Sequence, residues 1–371
     1  MSQVSIIRCA DYELNKLYQS VKQSVDAQGG IDRFIKTGQS VLLKPNFLKI
    51  ARPEEAVITH PEFIRAVIRL VKTVTDKIFI GDSPGGLVKI EDIYEQCGIR
   101  KVAQEENVEL VRFDKIKQIG GIPFASIKDE VDVVISLPKL KTHNLTSLTC
   151  AIKNVFGLVP GLYKVHCHKK APNFQIFAQE LVRIYSMAVP NLSIIDGVLA
   201  MQGEGPSGGD PYKLGLVIAS ADAVAADSVV AKIIGLKPFS VPSIKLAHEM
   251  KLGQADLNNI QISGELIDEV SVRDFALPKI MGLYKLPNFL LKGILRLIPL
   301  MLTIDADKCN NCLICAKICP QKTIEQLNSK VKINPKNCIL CLCCSEMCPN
   351  NAIYLRFLKG RRNNDKQNSC C

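Results

Sequence analysis

The chain has 371 residues, more than one average domain of roughly 100 to 200 residues, so two or three compact units are expected. Hydrophobic residues at 47% and charged residues at 22% match globular averages and exclude a mostly disordered chain. The formal charge of +11 admits acidic partners, but Trp is absent and only 8 Tyr and 13 Phe are present. The stacking platforms of single-stranded nucleic-acid binders are therefore scarce, and no nucleic-acid partner is expected.

The chain opens with MSQVSIIRCADYELN, which lacks a basic segment followed by an apolar one; the expectation is a cytoplasmic protein, not a secreted one. Short apolar runs rich in β-branched residues at 41–43, 78–80, 131–137, 192–195 and 214–219 suit strands buried on both faces. Helix-like segments at 61–75, 90–105, 146–157, 174–188 and 221–235 lie between them, and Pro61 suits a first helical position. This alternation predicts an α/β fold, a layered and mostly parallel sheet over residues 1–275, with ligands expected at the carboxyl ends of its strands. Residues 276–303 are expected to form an apolar linker helix. Lys285, Lys292 and Arg296 interrupt it and Pro287 and Pro299 break it, so it is read as packing on the body rather than crossing a membrane. Contact with a membrane surface is the less favoured alternative.

Fifteen cysteines are present, and their distribution reads as metal binding: Cys9, Cys97, Cys150 and Cys167 are scattered, whereas eleven follow position 308. CNNCLICAKICP begins at 309 and CILCLCCSEMCP at 338, two copies of C-x2-C-x2-C-x3-C-P. The run resembles that of bacterial two-cluster ferredoxins. That resemblance implies one 4Fe-4S cluster on Cys309, Cys312, Cys315 and Cys348, and a second on Cys338, Cys341, Cys344 and Cys319. Three thiolates spaced three apart wrap one cube, and the proline after the fourth carries the chain to the other. Zinc would need only four ligands in close pairs, and a disulfide framework suits a secreted chain. Cys343 fits the ligand register poorly and reads as a spectator, as do Cys370 and Cys371 on a basic, flexible tail at 357–371. The module at 304–356, a small α+β ferredoxin-like domain, is basic for its kind, which suits service to its own N-terminal domain.

Within that domain, LPKLKTHNLTSLTCAIKNVFG begins at a strand end where Lys139 and Lys141 alternate to one face, and it continues through His143 to Lys153. Converging cations, a strand end and a helix start suit an anionic ligand. Lys44 and Asn46 end another strand, and the GDSPGG loop ends the next, where Asp82 is a candidate acid, base or metal ligand or a simple turn cap. His60 reads as a neighbour of a helix cap. GEGPSG at 203–208 matches a dinucleotide fingerprint literally, but Pro206 and the strand-like run after it argue against that assignment. His166 and His168 could share a metal if the backbone were extended.

KPN, THPE, GDSPGG, LPKLKTH, AIKNVFG, VPG, DGVLAMQGEGPSGG and SADAVAAD, spread over about 35–235, together resemble the domain of unknown function 362 family, whose members often carry a C-terminal two-cluster module. The resemblance implies a site around Lys44, Asp82, Lys139, Lys141, His143 and Lys153, with Asp196, Glu204, Asp222 and Asp227 as weaker candidates, and names no substrate. Three functions stay open. The first is an oxidoreductase, or its electron-transfer component, relaying electrons between two 4Fe-4S clusters and a small anionic ligand or further cofactor. The others are an electron-carrier subunit that docks a redox partner protein, and a metal-centre or cofactor assembly factor.

Overall fold

A computed structural model of the chain describes residues 1–161, 163–169, 174–281 and 300–357. The expected linker helix falls largely outside these residues, as does the tail with Cys370 and Cys371. In chain order the strands are β1 (Ser2–Arg8), β2 (Val41–Pro45), β3 (Ile78–Ile80), β4 (Glu109–Leu110), β5 (Ile116–Ile119), β6 (Ile122–Ala125), β7 (Val133–Leu137), β8 (Lys139–His143), β9 (Ser147–Thr149), β10 (Leu192–Gln202), β11 (Asp210–Ser220) and β12 (Ile260–Gly264). All but the separate β5–β6 hairpin join one sheet, in the order β12-β1-β11-β10-β7-β2-β3-β4, with β8 and β9 branching from β10. The run β10-β7-β2-β3-β4 is parallel, and β11 pairs antiparallel with both β1 and β10.

The parallel strands carry apolar residues on both sides because helices cover both faces. Val41 and Leu43 pack into a core with the helices Leu14–Asp26 and Pro61–Val71, while Leu42 faces a second core with Phe174–Ser186 and Ala223–Ile233. Pro61 begins its helix, and His60 caps it, Nδ1 accepting from Glu62 N at 3.1 Å. Three segments differ from the sequence expectation. Gly98, left-handed at φ 79°, splits 90–105 into two helices. Residues 146–157 give β9 before a helix of only four residues, Ala151–Asn154, because Ser147–Thr149 are drawn into pairing with β8. Strand β10 runs on to Gln202, so the glycine-rich segment after it turns the chain into β11.

The cysteine module opens with β13 (Leu300–Ile304), ahead of the expected boundary at 304, and β13 pairs antiparallel with β16 (Ile353–Phe357). A hairpin of β14 (Ile324–Leu327) and β15 (Lys330–Ile333) and two short helices, Ile314–Ile318 and Cys343–Glu346, complete it. Leu302, Ile318 and Met347 join the second core, so apolar packing runs from body to module without a break. No helix among the described residues is long and apolar enough to cross a membrane.

Candidate functional site

The eight motif cysteines ring two small cavities. One is walled by Cys309, Cys312, Cys315 and Cys348, the other by Cys319, Cys338, Cys341 and Cys344. Non-glycine residues take left-handed conformations at equivalent points of each repeat, Asn311 and Leu313 in the first and Leu340 and Leu342 in the second. Strain repeated in this way curls each cysteine loop around a volume. All described cysteines are free thiols. Among the described residues no three His, Cys, Asp or Glu side chains converge as on a single metal ion. Four thiols around each of two cavities fit two 4Fe-4S clusters with crossed ligation.

The module sits on the carboxyl rim of the sheet through specific contacts. Lys49 Nζ donates to the Cys348 carbonyl at 2.7 Å and to Asn351 at 2.8 Å, and Ser207 Oγ donates to the Glu346 carbonyl at 3.1 Å. His168 Nδ1 donates to the Cys341 carbonyl at 3.1 Å. Gly86, left-handed at φ 61°, lets the GDSPGG loop approach Met347 and Ile318, where a β-carbon would crowd both side chains.

Between rim and module lies a cavity of about 70 Å³. Asn46, Asp82, Lys153, Lys164 and His168 line it from the rim, and Ile318, Cys343, Glu346 and Met347 from the module. A broader surface groove of about 770 Å³ shares Asp82 and Ser83 with it and opens toward Arg112 and Phe113.

Asp82, at the end of β3, accepts from Lys44 Nζ at 2.8 Å, Phe47 N at 2.6 Å and Ser83 N at 2.8 Å. It therefore caps its own turn and also neutralises a buried lysine. Gly157 lies against this pair so closely that any β-carbon would collide with both side chains. Asn154 braces Lys44, its Nδ2 donating to the Lys44 carbonyl at 3.1 Å and to Ser136 Oγ at 2.9 Å. The helix carrying Lys153 is held by Asp227, which accepts from Ala151 N at 2.7 Å and Ile152 N at 3.1 Å.

Lys153 is half-buried, and no hydrogen bond or ion pair among the described residues reaches its ammonium. Burial pushes its pKa down while Glu346 pulls it up. Lys164 donates to the carbonyls of Ser83 and Pro84, and burial lowers it to about 7. His143 Nδ1 accepts from Leu145 N at 3.0 Å and Thr146 N at 3.3 Å, so the neutral ring carries its proton on Nε2, 3.4 Å from Glu346 Oε1. Burial and then Lys153 hold this imidazole well below its usual pKa, so the contact joins a neutral ring to the carboxyl group. Neither atom makes a hydrogen bond of good geometry, and Asn46 Oδ1 on the cavity wall also lacks one.

Of the residues read from sequence, Asn46, Asp82 and Lys153 line this cavity, Lys44 stands behind Asp82 as its ion-pair partner, and His143 stands behind Glu346. Lys139 and Lys141 do not line it. Strand β8 continues through them beside β10, turning both inward: Lys139 pairs with Asp196 at 2.8 Å and donates to Tyr12 Oη at 2.9 Å, and Lys141 donates to the Val57 carbonyl at 2.7 Å. Asp222 caps the helix Ala223–Ile233, and Glu204 accepts from Lys279 N at 3.1 Å. His166 and His168 lie on the helix Tyr163–Lys169, where two positions apart is not one face; His166 is exposed and His168 buried.

Lys164 and Glu346 carry no role from sequence alone, whereas His168 is there a candidate metal ligand with His166, and Cys343 a spectator. Lys164 and His168 are four apart in a helix, a spacing that was legible. Cys343 occupies the position of Ile314 in the first repeat, contacts the Cys341 thiol and is buried at the cavity wall.

A model of the family described as "Domain of unknown function (DUF362)" matches residues 41–232, and one of a 4Fe-4S dicluster domain matches 301–349. A thylakoid-associated protein of Synechocystis is 36% identical over 257 residues, covering 67% of this chain and 79% of that protein. Among solved structures, the lactate racemase apoprotein of Thermoanaerobacterium thermosaccharolyticum aligns at 12% identity and a TM-score of 0.37, over 60% of this chain and 55% of that one. A structural-genomics protein of Thermotoga maritima aligns at 14% identity and a TM-score of 0.37, over 66% and 60%. This chain thus spans less than two thirds of either solved chain. The extent of the family match and the close Synechocystis relative together make this chain a member of the DUF362 family, carrying a C-terminal 4Fe-4S dicluster domain.

Proposed function

We propose that the protein is an iron-sulfur oxidoreductase, or the electron-transfer component of one, which exchanges electrons with a small anionic ligand held between its two parts. Bound 4Fe-4S clusters supply single-electron steps. The observation that carries the reading is the shared cavity: Lys153, without a hydrogen-bond or ion-pair partner among the described residues, on one wall, and Cys343 and Glu346, neighbours of cluster ligands, on the other.

In this reading Lys153 and Lys164 hold the anionic group, because Asp82 is already paired with Lys44 and Glu346 is one carboxyl group against two ammonium groups, which leaves positive charge for an anion to neutralise. Asn46 Oδ1 accepts a hydrogen bond from the ligand. Lys44 and Asp82 keep the rim loops in place, since each neutralises the other and Asp82 ties down the turn. Lys139 and Lys141, candidates from the sequence, serve as supports for β8. The groove past Asp82 and Ser83 gives the ligand a route from solvent. Exposed iron-sulfur chemistry suits a reducing, cytoplasmic setting, with a redox protein as the external partner.

The test is native mass measurement of the full chain purified without oxygen, beside the Lys153→Ala/Lys164→Ala variant. A small molecule retained by the first and lost by the second, with iron content equal, supports the reading. Equal retention by both, or none by either, removes it and leaves the pure electron carrier.

A further inference from the structure

We propose that the outer face of the cysteine module is a docking surface for an acidic one-electron carrier protein, which meets this chain beside Cys309, Cys312, Cys315 and Cys348.

The two cysteine sets differ in what covers them. Cys312 alone among the eight is exposed, and its cavity is rimmed by the exposed residues Asn310, Pro349 and Asn350. Each set has two buried cysteines, Cys315 and Cys348 in the first and Cys341 and Cys344 in the second, and the body takes one carbonyl of each, Lys49 that of Cys348 and His168 that of Cys341, so the difference lies in Cys312. Contact from outside is therefore available at Cys312, while each set rests on the rim through one cysteine carbonyl. Tunnelling between proteins needs close approach, so the exposed edge is where a partner must sit.

The module that carries this edge has a basic surface. Lys308, Lys317, Lys322, Lys330, Lys332 and Lys336 are all exposed, against Asp305, Asp307 and Glu325; the fourth acid of the module, Glu346, is turned inward. Val331 walls the first cavity and Ile324 and Ile333 of the same hairpin wall the second, so Lys330 and Lys332 stand on the outer side of a hairpin that covers both. Lys308 lies 3.9 Å from Asp305, and Lys332 is opposite Glu325, which leaves those two partly neutralised. Lys317 and Lys330 have no ion pair among the described residues. Six lysines against three outward acids would steer an acidic partner and repel a basic one.

The experiment uses the full-length, cluster-loaded protein and an acidic plant-type ferredoxin as probe, with affinity read by calorimetry and no ligand for the rim cavity added. Binding is expected to weaken about tenfold or more between low and physiological salt, and by a similar factor in Lys317→Glu/Lys330→Glu. Reduction of that variant by dithionite should match the unaltered protein, which shows that its clusters are intact. Affinity indifferent to both salt and charge reversal, equal binding of a basic cytochrome, or binding only to vesicles of anionic lipid would each overturn the assignment. Because the rim cavity takes no part, failure here leaves the ligand reading untouched.

Discussion

Lys139 and Lys153 both emerge from the segment that looked like one cationic site, yet the fold treats them in opposite ways. Lys139 is fully buried, paired with Asp196, and part of a closed network in which Tyr12 Oη donates to Asp196 at 2.7 Å and the Tyr12 ring stacks on His60 at 3.6 Å. Lys153 opens onto a cavity and has no partner among the described residues. A satisfied buried ion pair marks architecture, whereas an ammonium left unpaired against a second lysine marks a place for something the chain does not itself supply.

The largest effect expected from this contrast is on folding. Lys139→Met leaves Asp196 charged and buried, a loss of about 3–5 kcal/mol, enough to deplete the folded protein. Lys139→Met/Asp196→Leu, which removes both charges, should recover most of the thermal midpoint. Lys153→Met should shift the midpoint little and abolish ligand retention. If the two single variants melt alike, the distinction between support and site fails.

Next is iron. Cys319→Ser should lower iron from ~8 to ~4 per chain. Adding Cys341→Ser should remove no more, whereas adding Cys312→Ser should remove the rest; the reverse pattern contradicts crossed ligation. Gly157→Ala is expected to cost about 1–3 kcal/mol through collision with Lys44 and Asp82, seen as a lowered thermal midpoint with clusters retained.

The smallest effect concerns pH. Burial lowers Lys164 to about 7, so its ammonium is charged below that pH and neutral above it. Retention of an anion should therefore be strongest in mildly acid buffer and fall as pH rises through this range, with the bound anion itself drawing the midpoint upward. Lys164→Arg, whose guanidinium stays charged, should flatten the profile by native mass.

The module was legible because ligand spacing is a covalent property of the chain: eight cysteines at fixed offsets leave few ways to surround two clusters. Strand and helix alternation was equally local, and it gave the layered sheet. The rim was harder. Lys139, Lys141 and Lys153 are close in sequence, but which of them reaches a cavity depends on β8 continuing beside β10, a long-range pairing that no local pattern encodes. His166 and His168 looked paired on an extended backbone; in a helix the pair that shares a face is Lys164 and His168. Glu346 and Cys343 could not be read as site residues until the module was seen seated on the rim.

The most direct test of the shared cavity is a crystal structure of the cluster-loaded protein prepared without oxygen. The account expects a bound, non-protein anion against Lys153 Nζ, facing Cys343 and Glu346, with the Lys139–Asp196 network closed to ligand. A cavity holding water alone while an anion occupies another part of the N-terminal domain, or a module seated away from the rim, would contradict it.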